Sequence, residues 1–118
     1  MKQKIFDSEL KLMEIVWERE PISAKELSIV AAAELGWNKN TTYTVATKLC
    51  AKGFLTRSEP GFICSSAVSK DELRRSETQG LADRLFGGSK KALFSALLED
   101  ETFTQSELDE LRRMIDRR

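Results

Sequence analysis

Histidine is missing from this chain altogether. That removes the commonest general base near neutral pH and a favoured zinc ligand. Cysteine occurs twice, as Cys50 and Cys64, too few for a disulfide framework and unable to close a four-ligand metal site without carboxylates from elsewhere. Neither has an activating group beside it in sequence, so both are expected as buried structural thiols, with a redox switch the sharper alternative. There is no glycine-rich phosphate loop and no nucleophile–base pairing, so neither an enzyme nor a bound cofactor is expected. No apolar run approaches the ~18 residues that cross a bilayer. The basic start Met1-Lys2-Gln3-Lys4-Ile5-Phe6 is not followed by the long apolar stretch of a secretory signal. The expectation is a cytoplasmic protein with no membrane partner.

Net charge is also absent, with 19 Lys and Arg against 19 Asp and Glu. The distribution says more than the sum. From Trp37 to Ser58 the chain carries Lys39, Lys48, Lys52 and Arg57 and no acid. The acids gather at Glu9, Glu14, Glu18 and Glu20 and in the last third, where Glu99, Asp100 and Glu101 make a short run. That run is expected as a solvated loop rather than a metal site.

What is present is helical periodicity, interrupted once. A first helix is expected from about Ser8 to Arg19, with Asp7 as cap and Leu10, Met13, Val16 and Trp17 as buried stripe. Glu20-Pro21 ends it. Ser23-Ala24-Lys25-Glu26 reads as a capping box opening a second helix with Leu27, Val30, Ala31 and Leu35 on one face, stopped at Gly36. Asn38 can cap a third helix that runs through Lys52 to Gly53. Phe54–Ser58 and Phe62–Ser66 then form β-favouring runs around Glu59-Pro60-Gly61, a hairpin signal, with Pro21-Ile22 available as a short third strand. Two helices joined around a glycine and followed by a hairpin give the order of a winged helix-turn-helix.

From Ser69 the pattern is helical again. Ser69-Lys70-Asp71-Glu72 opens a helix with Leu73, Leu81, Leu85 and Phe86 before Gly87-Gly88. Ser89 starts a short helix with Leu93, Phe94, Leu97 and Leu98, and Thr104-Gln105-Ser106-Glu107 opens a last one with Leu108, Leu111 and Ile115. These stripes are too thin for a separate core, and a second copy would cover them. Leu81, Leu85, Leu93, Leu97, Leu108, Leu111 and Ile115 are therefore the expected dimerisation residues. The fold expected is α+β and mostly α: a winged helix-turn-helix over residues 1–68 and a helical dimerisation arm over 69–118.

On a helical wheel of the third helix, Thr42, Val45, Ala46 and Leu49 face the module's core. Asn40, Thr44, Thr47 and Lys48 fall opposite, with Thr41 and Tyr43 on the flanks. Amides, hydroxyls, one aromatic and one cation suit a DNA major groove, where Asn can pair with adenine, Lys can reach guanine or phosphate, and threonine methyls can pack on thymine. Asn40, Thr44, Thr47 and Lys48 are the candidate groove contacts, and Thr41, Tyr43 and Arg57 the candidate backbone contacts. The bland reading is a solvated helix face. A second class, a winged-helix protein-interaction module without DNA binding, is favoured by an uncharged or acidic face, which this is not. Trp17 and Trp37 are expected as core anchors.

The stretches Glu9-Leu10 through Met13-Glu14-Ile15-Val16-Trp17-Glu18-Arg19, Ser23-Ala24-Lys25-Glu26-Leu27, Trp37-Asn38-Lys39-Asn40-Thr41-Thr42-Tyr43-Thr44-Val45, Lys48-Leu49 and Lys52-Gly53-Phe54-Leu55 together resemble the penicillinase repressor family (BlaI/MecI/CopY type). The likeness covers nearly the whole chain. It implies a dimeric repressor reading a palindromic double-stranded operator, with the C-terminal helices making the homodimer. It also adds a regulatory protease as a candidate partner, since members controlling β-lactam resistance are inactivated by a cut at an Asn-Phe bond in the arm. The matching position here is Ala96-Leu97, which departs from that pair. Copper-responsive members carry a C-terminal cysteine cluster, whereas the sequence here closes on Asp116-Arg117-Arg118, so copper sensing is not expected. Phe62 stands where the family resemblance implies a basic residue after the wing's turn glycine, which thins the expected wing contacts.

Overall fold

The computed structural model describes residues 3–99 and 102–118. Its first helix, α1, spans Asp7–Arg19 and is capped one residue earlier than Asp7, at Phe6. The cause is Glu9, whose carboxylate reaches back to accept the Phe6 backbone N–H at 2.8 Å. The buried face of α1 also differs from the expected stripe. Leu12, Met13, Ile15 and Val16 are buried, while Leu10 and Trp17 are half-buried at its edges. The wider face follows from position, since α1 is packed by the two helices that follow it and by the strand Ile63–Ser66.

After α1 come β1 (Ile22–Ser23), α2 (Ala24–Leu35) and α3 (Lys39–Ala51). Ser23 Oγ accepts the Glu26 N–H at 3.1 Å, satisfying one of the orphan amides at the start of α2. Gly36 ends α2 at φ 73°, and the Trp37 N–H bonds back to the Ala31 carbonyl at 3.4 Å. That left-handed residue is what a Schellman stop requires, and glycine adopts it without a Cβ penalty. The chain is thereby turned into α3, whose first turn is capped by Asn38 Oδ1 accepting the Thr41 N–H at 2.8 Å.

The wing is β2 (Leu55–Ser58) and β3 (Ile63–Ser66), antiparallel, with β1 on the far side of β3 to give the order β1-β3-β2. Arg57 pairs with Cys64 across the hairpin and Ile22 with Cys64 on the other edge, so Cys64 lies in the middle of the sheet. Leu12, Met13, Val16, Leu27, Leu49 and Phe54 have no exposed surface. Each such burial is worth about 1.5–3 kcal/mol against an exposed side chain, which holds the three helices and the sheet around one core.

Three further helices follow: α4 (Lys70–Leu85), α5 (Lys90–Leu98) and α6 (Gln105–Asp116). Each begins at the expected cap. Ser69 and Glu72 make a reciprocal box at 3.0 Å each way, Ser89 accepts the Ala92 N–H at 3.0 Å, and Thr104 and Glu107 make a second box at 3.1 and 2.9 Å. The chain divides into two compact units, residues 1–74 and 75–118, the division falling inside α4. In the first unit Trp17 Nε1 donates to the Val68 carbonyl at 3.0 Å, and Lys70 pairs with Glu14 at 2.7 Å, which ties the start of α4 to α1. Among the described residues no helix is long and apolar enough to cross a membrane. Met1-Lys2 of the basic start and Asp100-Glu101 of the acidic run lie outside the described residues.

Candidate nucleic-acid interface

The surface of α3 is sorted as its periodicity dictates. Thr42, Ala46 and Leu49 are fully buried and Val45 is half-buried, so one face is committed to the core. Asn40, Thr41, Thr44, Thr47 and Lys48 are exposed, and Tyr43 is half-buried at the flank. Two threonine hydroxyls are used within the helix: Thr42 Oγ1 donates to the Asn38 carbonyl at 3.4 Å and Thr47 Oγ1 to the Tyr43 carbonyl at 2.8 Å. With its proton committed, the hydroxyl of the exposed Thr47 has only acceptor lone pairs left to offer.

The cations of the acid-free strip divide into two kinds. Lys52 is turned inward to Glu9 at 2.8 Å, where its side chain is 19% exposed and that of Glu9 3%. It also donates to the Lys4 carbonyl at 3.1 Å and lies 4.1 Å from the Phe6 ring centroid, so it closes the N-terminal segment onto α3. Arg57 is engaged at the wing: its Nε pairs with Glu59, and its guanidinium carbon sits 3.8 Å from the Phe62 ring centroid. Lys39 and Lys48 are the others, and among the described residues neither has an acidic partner. Lys39 lies 5.7 Å from the Tyr43 ring centroid.

Phe62 takes a role that its sequence position did not reveal. It has a left-handed backbone, φ 51°, uncommon for a non-glycine residue and carrying a conformational cost. Bonds on both sides hold it there: its N–H donates to Glu59 Oε1 at 3.2 Å, and its carbonyl accepts the Ala24 N–H at 2.9 Å. The ring meets Tyr43 edge-on, with centroids 6.0 Å apart and planes at 87°. An aromatic contact therefore joins the wing to the flank of α3. A signal did exist in the sequence, Arg57 and Glu59 entering a turn that ends on an aromatic, but only the hairpin register brings the three together. Glu20 is another unforeseen contributor, accepting from the Ser66 N–H at 2.7 Å and from its hydroxyl at 2.8 Å, which braces β3.

The electrostatics follow from these contacts. The Arg57 guanidinium, aided by the Phe62 N–H, holds the Glu59 carboxyl below the usual carboxylate range. Burial pushes the Cys64 thiol up to about 11 and raises Cys50 as well, with Arg57 opposing both shifts more weakly. Both cysteines are free thiols, and these directions leave them protonated rather than nucleophilic. Among the described residues no group of His, Cys, Asp and Glu side chains is arranged to hold a metal ion.

The arm residues fall in different environments. Leu93 is buried within its own unit, Leu81, Leu108 and Leu111 are half-buried, and Leu85, Leu97 and Ile115 are exposed. Phe94, Leu98, Leu108, Leu111 and Ile115 line an apolar groove of about 370 Å³ with Gln105 and Arg112 at its rim. Ala96-Leu97 lies inside α5 and is exposed.

A three-helix core, a three-stranded antiparallel sheet with its hairpin as wing, and a polar outward face on the last core helix define a winged helix-turn-helix protein. The chain belongs to the penicillinase repressor family, whose model matches residues 5–117. It is 24% identical over 117 residues to the methicillin resistance regulatory protein MecI of Staphylococcus aureus (strain N315), spanning 98% of this chain and 95% of that protein. It is 26% identical over 110 residues to a penicillinase repressor of Staphylococcus aureus, spanning 92% of this chain and 87% of that one. Among solved structures it resembles Bacillus licheniformis BlaI, in its monomeric form in complex with the blaP half-operator. There the TM-score is 0.54 and the identity 23%, over 61% of this chain and 90% of that one.

Proposed function

We propose that this chain is a transcriptional repressor that binds operator DNA as a homodimer, one α3 per subunit entering the major groove. The observation that carries the reading is the outward face of α3: Asn40, Thr44, Thr47 and Lys48 exposed on a helix whose opposite face is locked into the core. Asn40 supplies hydrogen bonds to base edges, Lys48 reaches a guanine edge or a phosphate, and Thr44 and Thr47 supply methyl contacts and acceptors. Thr41 and Tyr43 on the helix flank are the candidate contacts to the DNA backbone, and Arg57 is the candidate on the wing, where its contact with Glu59 has to be exchanged for one with phosphate. Membership of a repressor family and the half-operator bound by the similar BlaI chain support this reading.

Dimerisation is assigned to the arm, residues 69–118, and within it to the second compact unit, residues 75–118, because Leu85, Leu97, Met114 and Ile115 there keep half or more of their surface exposed. Covering them with a second copy removes apolar area from water, and a two-fold pair places two α3 helices on half-sites about 34–36 Å apart, or a multiple of that. A regulatory protease acting at Ala96-Leu97 would first have to unwind α5, since the bond is helical.

Selection of duplexes from a random-sequence pool by the full chain tests the proposal. Enrichment of an inverted repeat with half-sites a whole number of helical turns apart is expected. A pool without enrichment after repeated rounds would turn the reading toward a protein-interaction module. As a residue-level check, Lys48→Ala should lower the salt dependence of binding by about 0.9 in log–log slope per subunit, about 1.8 for the dimer, if Lys48 meets a phosphate.

A further inference from the structure

The wing arginine is already engaged before any phosphate arrives. Its Nε is paired with one oxygen of Glu59, the other oxygen of that carboxylate accepts the Phe62 N–H at 3.2 Å, and the Phe62 ring lies 3.8 Å from the guanidinium carbon. Carboxylate, backbone amide, ring and guanidinium thus close into one clasp. Through Phe62 the clasp is joined to Tyr43 on α3, 6.0 Å away.

A carboxylate and a phosphate both accept from the N–H donors of a guanidinium, and Glu59 uses one of them, Nε–H. The ring covers one face of Arg57 and Glu59 takes its Nε–H, so a DNA phosphate that uses that edge of the guanidinium has to compete with Glu59. Arg57 and Glu59 are about half exposed, at 49% and 57%, and an exposed pair of this kind is weak and screened by salt. The clasp therefore restrains the arginine without locking it.

We propose that Glu59 is a positioning residue of the DNA interface: an internal phosphate competitor that withholds Arg57 and so limits the sequence-independent part of the affinity. The inference rests on the DNA-binding reading above. Backbone contacts supply nearly all non-specific binding. A wing whose cation is already answered leaves Lys39 and Lys48, which have no acidic partner among the described residues, to carry more of the phosphate contact. The base-facing groups of α3 then account for a larger share of what remains.

The test compares wild type, Glu59→Gln, Arg57→Gln and the double variant by fluorescence anisotropy on one random-sequence duplex over a range of salt. Glu59→Gln is expected to bind more tightly at low salt, with a log–log slope steeper by about 0.9 for each subunit engaged, an extra loss of about 3.5-fold per subunit between 50 and 200 mM salt. In the Arg57→Gln background the same change should do nothing. If wild type binds and Glu59→Gln has its affinity and slope, the competitor is overturned while DNA binding stands. A gain of equal size without Arg57 also overturns it, because the carboxylate then acts only by its own repulsion. If wild type fails to bind the duplex even at low salt, the DNA reading falls, and this inference with it.

Discussion

The winged unit closes its own core and the arm does not. In the first, Leu12, Met13, Val16, Leu27, Leu49 and Phe54 have lost all exposed surface, and even the carboxylate of Glu9 is taken inside with a lysine to answer it. Among the described residues of 75–118, Ala82 and Leu93 are the buried ones, while Leu85, Met114 and Ile115 remain 64%, 50% and 56% exposed. Both regions have well-capped helices. Caps define where helices begin and contribute about 1 kcal/mol each, whereas burial of apolar area supplies most of the driving force. Good local structure without burial is what the proposed pairing of two arms would complete.

The largest expected effect separates the two regions outright. Leu111→Asp places a charge in the arm's apolar groove and should convert a dimer to a monomer in sedimentation. Operator affinity should fall by about a hundredfold or more as the second half-site is lost, while the winged unit keeps its helical circular dichroism. A variant that stays dimeric would break the assignment of the arm. Phe54→Ala attacks the other side of the comparison and should cost the winged unit about 3–5 kcal/mol in denaturant unfolding, whereas Ile115→Ala, in the dilute monomer, should stay within about 0.5 kcal/mol.

Glu9→Gln should cost about 2 kcal/mol, because it leaves the inward-turned Lys52 without its carboxylate. An unchanged unfolding midpoint would mean that water already answers that charge. The smallest effect is at alkaline pH. Cys64 in the sheet is held protonated up to about 11, against an ordinary value of 9.0. Between those two values the unfolded chain has released the proton and the folded one has not, so stability is whole below pH 9 and declines as pH rises toward 11. Cys64→Ala should flatten that decline in a pH series of thermal melts.

Much of this architecture is legible in the sequence because it depends on short-range rules. The two faces of α3 follow from a period of 3.6, and the caps at Ser23, Asn38, Ser69, Ser89 and Thr104 follow from one side chain and an amide three residues on. The hairpin follows from Glu59-Pro60-Gly61 between β-favouring runs. What the local rules miss is set by distant partners. Leu12 and Ile15 join the buried face of α1 because neighbours cover it on more than one side, and Glu9 is buried only because Lys52, 43 residues on, reaches it. Which outward residues stand free is equally non-local: Arg57 looks available in sequence until the register of the hairpin sets Glu59 and Phe62 against it.

The most direct measurement is an anisotropy titration of the full chain against a duplex recovered by selection, with its scrambled counterpart as control, at several salt concentrations. The account predicts saturation at two chains per selected duplex, an affinity that falls steeply with salt, and binding to the scrambled duplex weaker by about a thousandfold or more. Equal affinity for the two duplexes, or saturation at one chain, would contradict it.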